Sequence, residues 1–328
     1  MKWLIGVPVI LAIIYFLGPQ PVTPKLNNTL PVYRVEGHAL ELAVDTKEGH
    51  HKSKPDNEAR ILWYNDSLKT KTEYAIVYLH GFSASQAEGE PVHRNIAKIF
   101  GCNLYLSRLA EHGIDTSDAL AKLTADNYWE SAKEALAIGK QLGKKVILMG
   151  TSTGGTLAIL LAAKFPEVHS LILMSPNISI NDPNAWLLND PWGIQVARTV
   201  LHSKYVQSKD QHPLYRQYWN YKYRVEAAVQ LEELLETSMV PRIFDQVSQP
   251  VLIMYYYKDP VHQDSVVKVS AMLTMFQQLG TADRLKKSVA MPNTGNHVIG
   301  SYIKSNDFAG VQLEIKKFMT EVLHIKPA

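Results

Sequence analysis

The chain has 328 residues, enough to bury a large core, and its apolar (46 %) and charged (20 %) shares are those of ordinary globular proteins. Its net charge of +3, from scattered lysines and arginines, leaves no electrostatic footprint for a nucleic acid. The one cysteine, Cys102, excludes an intrachain disulfide and any cysteine-based zinc site.

Met1-Lys2 opens an apolar run from Trp3 to Gly18, closed by Pro19-Gln20-Pro21. One positive charge before a short apolar stretch matches a signal anchor or signal peptide over residues 1–21. The run is a little short of the ~20 residues that span a bilayer comfortably, and Pro8 interrupts it. No A-x-A cleavage site follows, so an uncleaved membrane anchor is the favoured reading over a cleaved signal or a buried helix. Lys2 then places the N-terminus in the cytoplasm and the body outside it, periplasmic or extracellular.

Residues 22–70 read as a tether with N-terminal strands. Pro and Asn mark the stretch up to about residue 35, and a polar loop lies near Gly49 to Asn57. Ile61-Leu62-Trp63-Tyr64 is strand-like. His38, His50 and His51 lack a regular ligand spacing and read as solvated loop histidines.

From Tyr74 strands and helices alternate. Apolar runs predict strands at 75–79, 103–106, 146–149, 171–174 and 251–256, with a short one near 289–291. Cys102, just before the second of these, reads as a buried structural thiol. Helices are predicted over 118–142, by its spacing, and over 155–163, about 264–279 and about 308–323. This alternation predicts an α/β fold for residues 71–326, a mostly parallel central sheet flanked by helices. Between Ser175 and Pro250 it stops, in a stretch rich in Trp and Tyr that leads into a helical Val225 to Thr237. An insertion here sits over the C-terminal edge of the sheet, where open α/β sheets bind ligands. Residues 177–248 are therefore expected to form a helical lid, its aromatics either lining a substrate pocket or packing the lid onto the body.

Gly150-Thr151-Ser152-Thr153-Gly154 joins the 146–149 strand to the helix that follows. Strand, G-x-S-x-G, helix is the context of a nucleophile elbow, a turn so tight that the serine is strained and its hydroxyl exposed. A serine hydroxyl needs a base, and the base an orienting acid. Asp259 lies just past the 251–256 strand and His297 in a glycine-flanked loop after the last strand, giving the order Ser152, Asp259, His297. Asp264 is the rival acid, read in preference as the start of the next helix; His262, His112 and His80 are weaker candidates for the base. Backbone N–H groups of Thr153, after the nucleophile, and Phe82, in the first strand–helix loop, are placed to form an oxyanion hole. His80 reads as a structural hydrogen-bonder.

Together His80-Gly81-Phe82, Arg108-Leu109-Ala110-Glu111-His112-Gly113, Gly150-Thr151-Ser152-Thr153-Gly154-Gly155, Asp259 and Asn296-His297 resemble the α/β-hydrolase superfamily. The likeness is to the group of monoacylglycerol lipases, carboxylesterases and serine aminopeptidases of the S33 type, over about residues 70 to 325. Glu111 replaces the first glycine of that group's Arg-x-x-Gly-His-Gly, and Tyr256 stands at the glycine before its acid. The resemblance implies Ser152 as nucleophile, Asp259 as acid, His297 as base, Phe82 and Thr153 as oxyanion donors, and no metal or organic cofactor. The expected activity is a serine hydrolase cleaving small-molecule carboxylic esters, lipid-like or aryl. The alternatives are a peptidase or amidase of the S33 type and a non-catalytic ligand-binding homologue.

Overall fold

The computed structural model describes residues 10–328. Its centre is a seven-stranded sheet in the order β1-β3-β2-β4-β5-β8-β9. The strands are β1 (Arg60–Leu62), β2 (Thr72–Leu79), β3 (Asn103–Leu106), β4 (Gly143–Thr151), β5 (Ser170–Met174), β8 (Val251–Tyr255) and β9 (Lys286–Ala290). Every pairing is parallel except that of the edge strand β1 with β3. Helices cover both faces, so the inner strands are apolar at successive positions rather than alternately. On β2, Ala75, Val77 and Leu79 join the core beneath one helix layer, while Ile76 and Tyr78 join the core on the other side.

The first layer holds α3 (Ala125–Leu142) and α4 (Thr153–Lys164), and the second α2 (Val92–Ile99) and α10 (Phe308–Lys317). Helix α3 begins where Thr124 and Asn127 cap each other's backbone N–H groups, which removes two unpaired donors from its first turn. Cys102 is buried, and burial pushes its thiol up to about 12.

The stretch read as a lid lies between β5 and β8. It carries α5 (Gly193–Leu201), α6 (Pro213–Tyr218), α7 (Val225–Ser238) and α8 (Pro241–Phe244), with a small antiparallel pair, β6 (Tyr205–Gln207) and β7 (Lys222–Arg224). Helix α9 (Val269–Gln278) follows β8.

The N-terminal expectations fare differently. Residues 1–9 of the predicted anchor lie outside the described residues. Residues 10–16 are helical, and no helix among the described residues is long and apolar enough to cross a membrane. The stretch read as a tether lies along α3. The Trp129 indole donates to the Asn27 carbonyl at 2.6 Å, the buried Lys133 ammonium donates to the Thr29 carbonyl at 2.7 Å, and Asp126 accepts the Lys25 and Leu26 N–H groups. A helix absent from the sequence reading, α1 (Gly37–Gly49), then precedes β1. It is fastened by Glu48, which meets the Arg108 guanidinium in two hydrogen bonds of 2.6 and 3.1 Å.

Candidate active site

The elbow forms as the motif predicts. Ser152 stands between β4 and α4 with φ 53° and ψ −121°, a positive-φ backbone outside the αL well that costs a non-glycine residue about 1–3 kcal/mol. The neighbours hold it there: its N–H donates to the Met174 carbonyl of β5 at 2.9 Å, and its carbonyl accepts the N–H groups of Gly155 and Asn177. Gly154 shows why the turn demands glycine, since a Cβ there would stand 1.9 Å from the Leu79 carbonyl oxygen. Thr153 and Phe82, the two predicted oxyanion donors, have backbone N–H groups with no acceptor among the described residues. A developing oxyanion requires backbone donors that are left unpaired in the resting fold.

His80 and His112 fix the loop that carries Phe82. His80 accepts the Leu109 N–H at 3.1 Å, and His112 accepts the Ser83 N–H at 3.0 Å. Their other ring nitrogens face the carbonyls of Gly81 and Ala110. Both rings are buried, which drives them neutral: His80 falls to about 4, and burial holds His112 well below the usual imidazole range. The structural role expected for His80 is the one its geometry serves.

The acid predicted at Asp259 is a correction. Asp259 heads an exposed turn, accepting the N–H groups of Val261 and His262 and pairing with the His262 ring at 2.9 Å. It makes no contact with His297. Asp264 does, its Oδ2 lying 2.6 Å from His297 Nδ1. The physical reason is an excursion of the chain. After β8, residues 257–263 loop outward, closed by a bridge between Tyr257 and Gln263, and the Asp264 N–H returns to the Tyr256 carbonyl. Asp264 thus stands at the strand's C-terminal end, the place assigned to Asp259. Asp-Pro followed closely by His is the signature of a locally satisfied Asx turn, and it is the one sequence signal against Asp259.

Asp264 is 1 % exposed. Burial alone raises its pKa, but His297 and the N–H groups of Val267 and Val266 outweigh it and hold the carboxyl below its usual range. Burial pushes the His297 ring down; the Asp264 charge and hydrogen bond, with a smaller contribution from Glu88, outweigh it and raise the imidazole above its usual range. No hydrogen bond joins His297 to the Ser152 hydroxyl in this conformation, a contact that often tightens only with substrate present.

The lid aromatics divide. Trp219 is buried and packs with Ala84 and Val298, between the oxyanion loop and the His297 loop. Tyr223 meets Phe82 edge-on at 5.1 Å. Trp186 faces outward, and Trp192 donates to the Ile14 carbonyl instead. A cavity of about 720 Å³ opens between the lid and α9, near Trp186, Glu232 and Lys268, and includes none of Ser152, Asp264 and His297. The strained Ser152 and the buried Asp264–His297 pair lie outside the lining of this cleft.

Comparison with known proteins follows the same lines. A profile described as the alpha/beta hydrolase family matches residues 76–302. The human serine hydrolase BPHL is 29 % identical over 155 residues, 44 % of this chain and 50 % of that protein. The match thus spans half the length of that curated relative. A structure from work on LipS and LipT, two metagenome-derived lipolytic enzymes, aligns with TM-score 0.65 and 17 % identity, covering 82 % of this chain and 99 % of the other. The monoacylglycerol lipase of Paleococcus ferrophilus aligns with TM-score 0.59 and 13 % identity, covering 80 % and 98 %. At such identities the two structures establish a shared fold.

Proposed function

The chain belongs to the alpha/beta hydrolase family, and from that premise we propose that it is a serine hydrolase of small carboxylic esters. Ser152 attacks the acyl carbon, and its proton passes to His297 Nε2. Asp264 receives the Nδ1–H of that imidazole, fixing its tautomer and stabilising the imidazolium. The N–H groups of Phe82 and Thr153 take the oxyanion. The alcohol leaves with the proton held by His297. Water, deprotonated by the same ring, then releases the acid from Ser152.

The observation that carries this reading is the buried Asp264–His297 contact of 2.6 Å on the same sheet edge as the strained Ser152. A pair with one ring nitrogen held by a buried carboxylate leaves the other free to act as base. Lipid-like and aryl esters are the favoured substrates, since Trp219 and Tyr223 bring apolar surface to the loop that carries Phe82. Likeness to lipolytic enzymes and to a monoacylglycerol lipase supports this choice.

A fluorophosphonate probe tests the proposal. The wild-type chain is expected to take one label, and Ser152→Ala to take none while losing ester turnover by about six orders of magnitude. A folded wild-type protein that stays unlabelled would overturn it. A panel of esters set beside aminoacyl amides then tests the substrate class, with faster turnover of the amides counting against esters.

A further inference from the structure

Beside the elbow stands a carboxyl that the scheme above does not use. Glu88 lies in the turn Gln86–Gly89 and is 2 % exposed. Its Oε2 accepts the Gly81 N–H at 2.5 Å. A Cβ placed on Gly81 would lie 2.8 and 2.9 Å from the two Glu88 oxygens and 2.9 Å from Ser152 Cβ, so carboxyl and nucleophile flank one glycine. Among the described residues the Gly81 N–H is the one hydrogen-bond partner of the carboxyl, on Oε2, and the neighbouring Arg94 pairs with Glu90 instead. The titratable groups around it come from three other elements: Tyr78 of β2, Tyr128 of α3 and His297 of the loop after β9. Glu90, on its own segment, acts on Tyr78. Both tyrosines are driven well above their usual range by burial, so they are neutral hydroxyls, and the Tyr128 hydroxyl is itself unpaired.

We propose that Glu88 is a positioning residue for the reaction at Ser152, acting as a neutral carboxyl that keeps the oxyanion loop uncharged while His297 serves as base. The proposal rests on the serine-hydrolase reading. Attack by Ser152 sends its proton to His297 and puts negative charge on the substrate oxygen at the Phe82 N–H, one residue from the Gly81 N–H that Glu88 holds. An ionised Glu88 opposes that charge by like-charge repulsion in a medium that screens poorly. It also favours the imidazolium in the resting enzyme and so occupies the base. A protonated Glu88 does neither. Burial pushes the carboxyl up to about 7, against the pull of the Gly81 N–H and of His297, so its proton is lost within the working range.

The sign follows. Rate rises with pH as His297 gives up its proton and falls as Glu88 gives up its own, which makes a bell. The two groups interact, so both limbs belong to the pair. Glu88→Gln keeps an acceptor for the Gly81 N–H and cannot ionise.

The experiment is the rate of fluorophosphonate labelling from about pH 5 to about pH 9 for wild type and Glu88→Gln, with thermal melts to check folding. Wild type is expected to lose up to about tenfold per pH unit on the alkaline side, and the variant to hold its plateau there. The variant's acid limb is expected to stay close to that of wild type, because Glu88 is already neutral there and the substitution removes no charge. Should Glu88→Gln fail to fold, Glu88→Ala removes the same charge: its plateau is expected to be lower, since the Gly81 N–H loses its acceptor, but the alkaline fall is again expected to be absent. A wild-type plateau reaching pH ~9, or superimposable profiles in wild type and variant, overturns the Glu88 proposal and leaves the hydrolase reading standing. A wild type that takes no label at any pH overturns the hydrolase reading itself and the proposal with it.

Discussion

Asp259 and Asp264 carry the same carboxyl five residues apart, and only the path of the backbone separates their roles. Asp259 is spent on its own turn, whereas Asp264 is buried with His297 as its partner. Asp264→Asn keeps the shape but presents the wrong tautomer to the base, so kcat is expected to fall by about 10⁴-fold with KM little changed. Its His297 should also titrate at lower pH, since the charge that raises it is lost. Asp259→Asn, which breaks only an exposed pair, is expected to stay within about twofold of wild type. Steady-state kinetics on both variants decide the assignment, and the reverse ranking would restore Asp259. Glu111 offers a second test at this scale. It replaces a glycine of the related group, yet its backbone still has φ 64°. Left-handed backbone costs a non-glycine residue about 1–2 kcal/mol, and glycine loses back about half of that in chain entropy. Glu111→Gly is therefore expected to stabilise the fold by about 0.5–1 kcal/mol, read as a higher urea midpoint.

Among the elements, the inner strands were legible because burial on both faces writes itself as a continuous apolar run, as in Val146-Ile147-Leu148-Met149. The elbow was legible because its glycines answer a local steric demand, which Gly154 meets at the Leu79 carbonyl. Helix α1 was not. Only Leu40, Val44 and Glu48 of its residues are buried, and what fastens it is a guanidinium 60 residues away. The partners of the stretch read as a tether were illegible for the same reason, since Trp129 and Lys133 lie on α3. Tertiary hydrogen bonds of this kind leave no period in the chain. The acid of the candidate site was misplaced through an outward loop that no spacing rule anticipates. Helix α1 itself makes a prediction. Glu48 and Arg108 are 9 % and 6 % exposed, and Glu48 also accepts the Ala59 N–H. Removing one partner of such a pair leaves a buried charge alone, so Glu48→Ala is expected to cost about 3–5 kcal/mol. Chemical denaturation measures it, and a loss below about 1 kcal/mol would mean that solvent reaches the guanidinium.

Over the whole molecule, the buried titratable groups set how stability responds to acid. His80 and His93 are fully buried and lowered to about 4 and about 3 by that burial, and His112 is held well below its ordinary range by the same cause. Each is neutral in the fold and takes a proton on unfolding below its ordinary pKa of 6.5. Their contribution is complete above that value and drains away as pH falls towards the folded values. Glu88 and Glu232 run the other way. Both are raised to about 7, mainly by burial, so they favour the fold in acid and lose that contribution as pH rises from 4.5 towards 7. Where the two windows overlap, two carboxyls offset part of what three histidines cost. Below the ordinary carboxyl value the offset stops growing while the histidines still titrate, each by up to ~1.4 kcal/mol per pH unit. Urea midpoints are therefore expected to fall gently from pH ~6.5 to ~4.5 and steeply below. In Glu88→Gln the gentle part becomes steeper, because one of the two opposing carboxyls is gone. A midpoint that stays level from pH ~6 to ~4 would mean that the three histidines are not held neutral by the fold, and the hydrogen bonds that His80 and His112 accept around Phe82 would need another explanation.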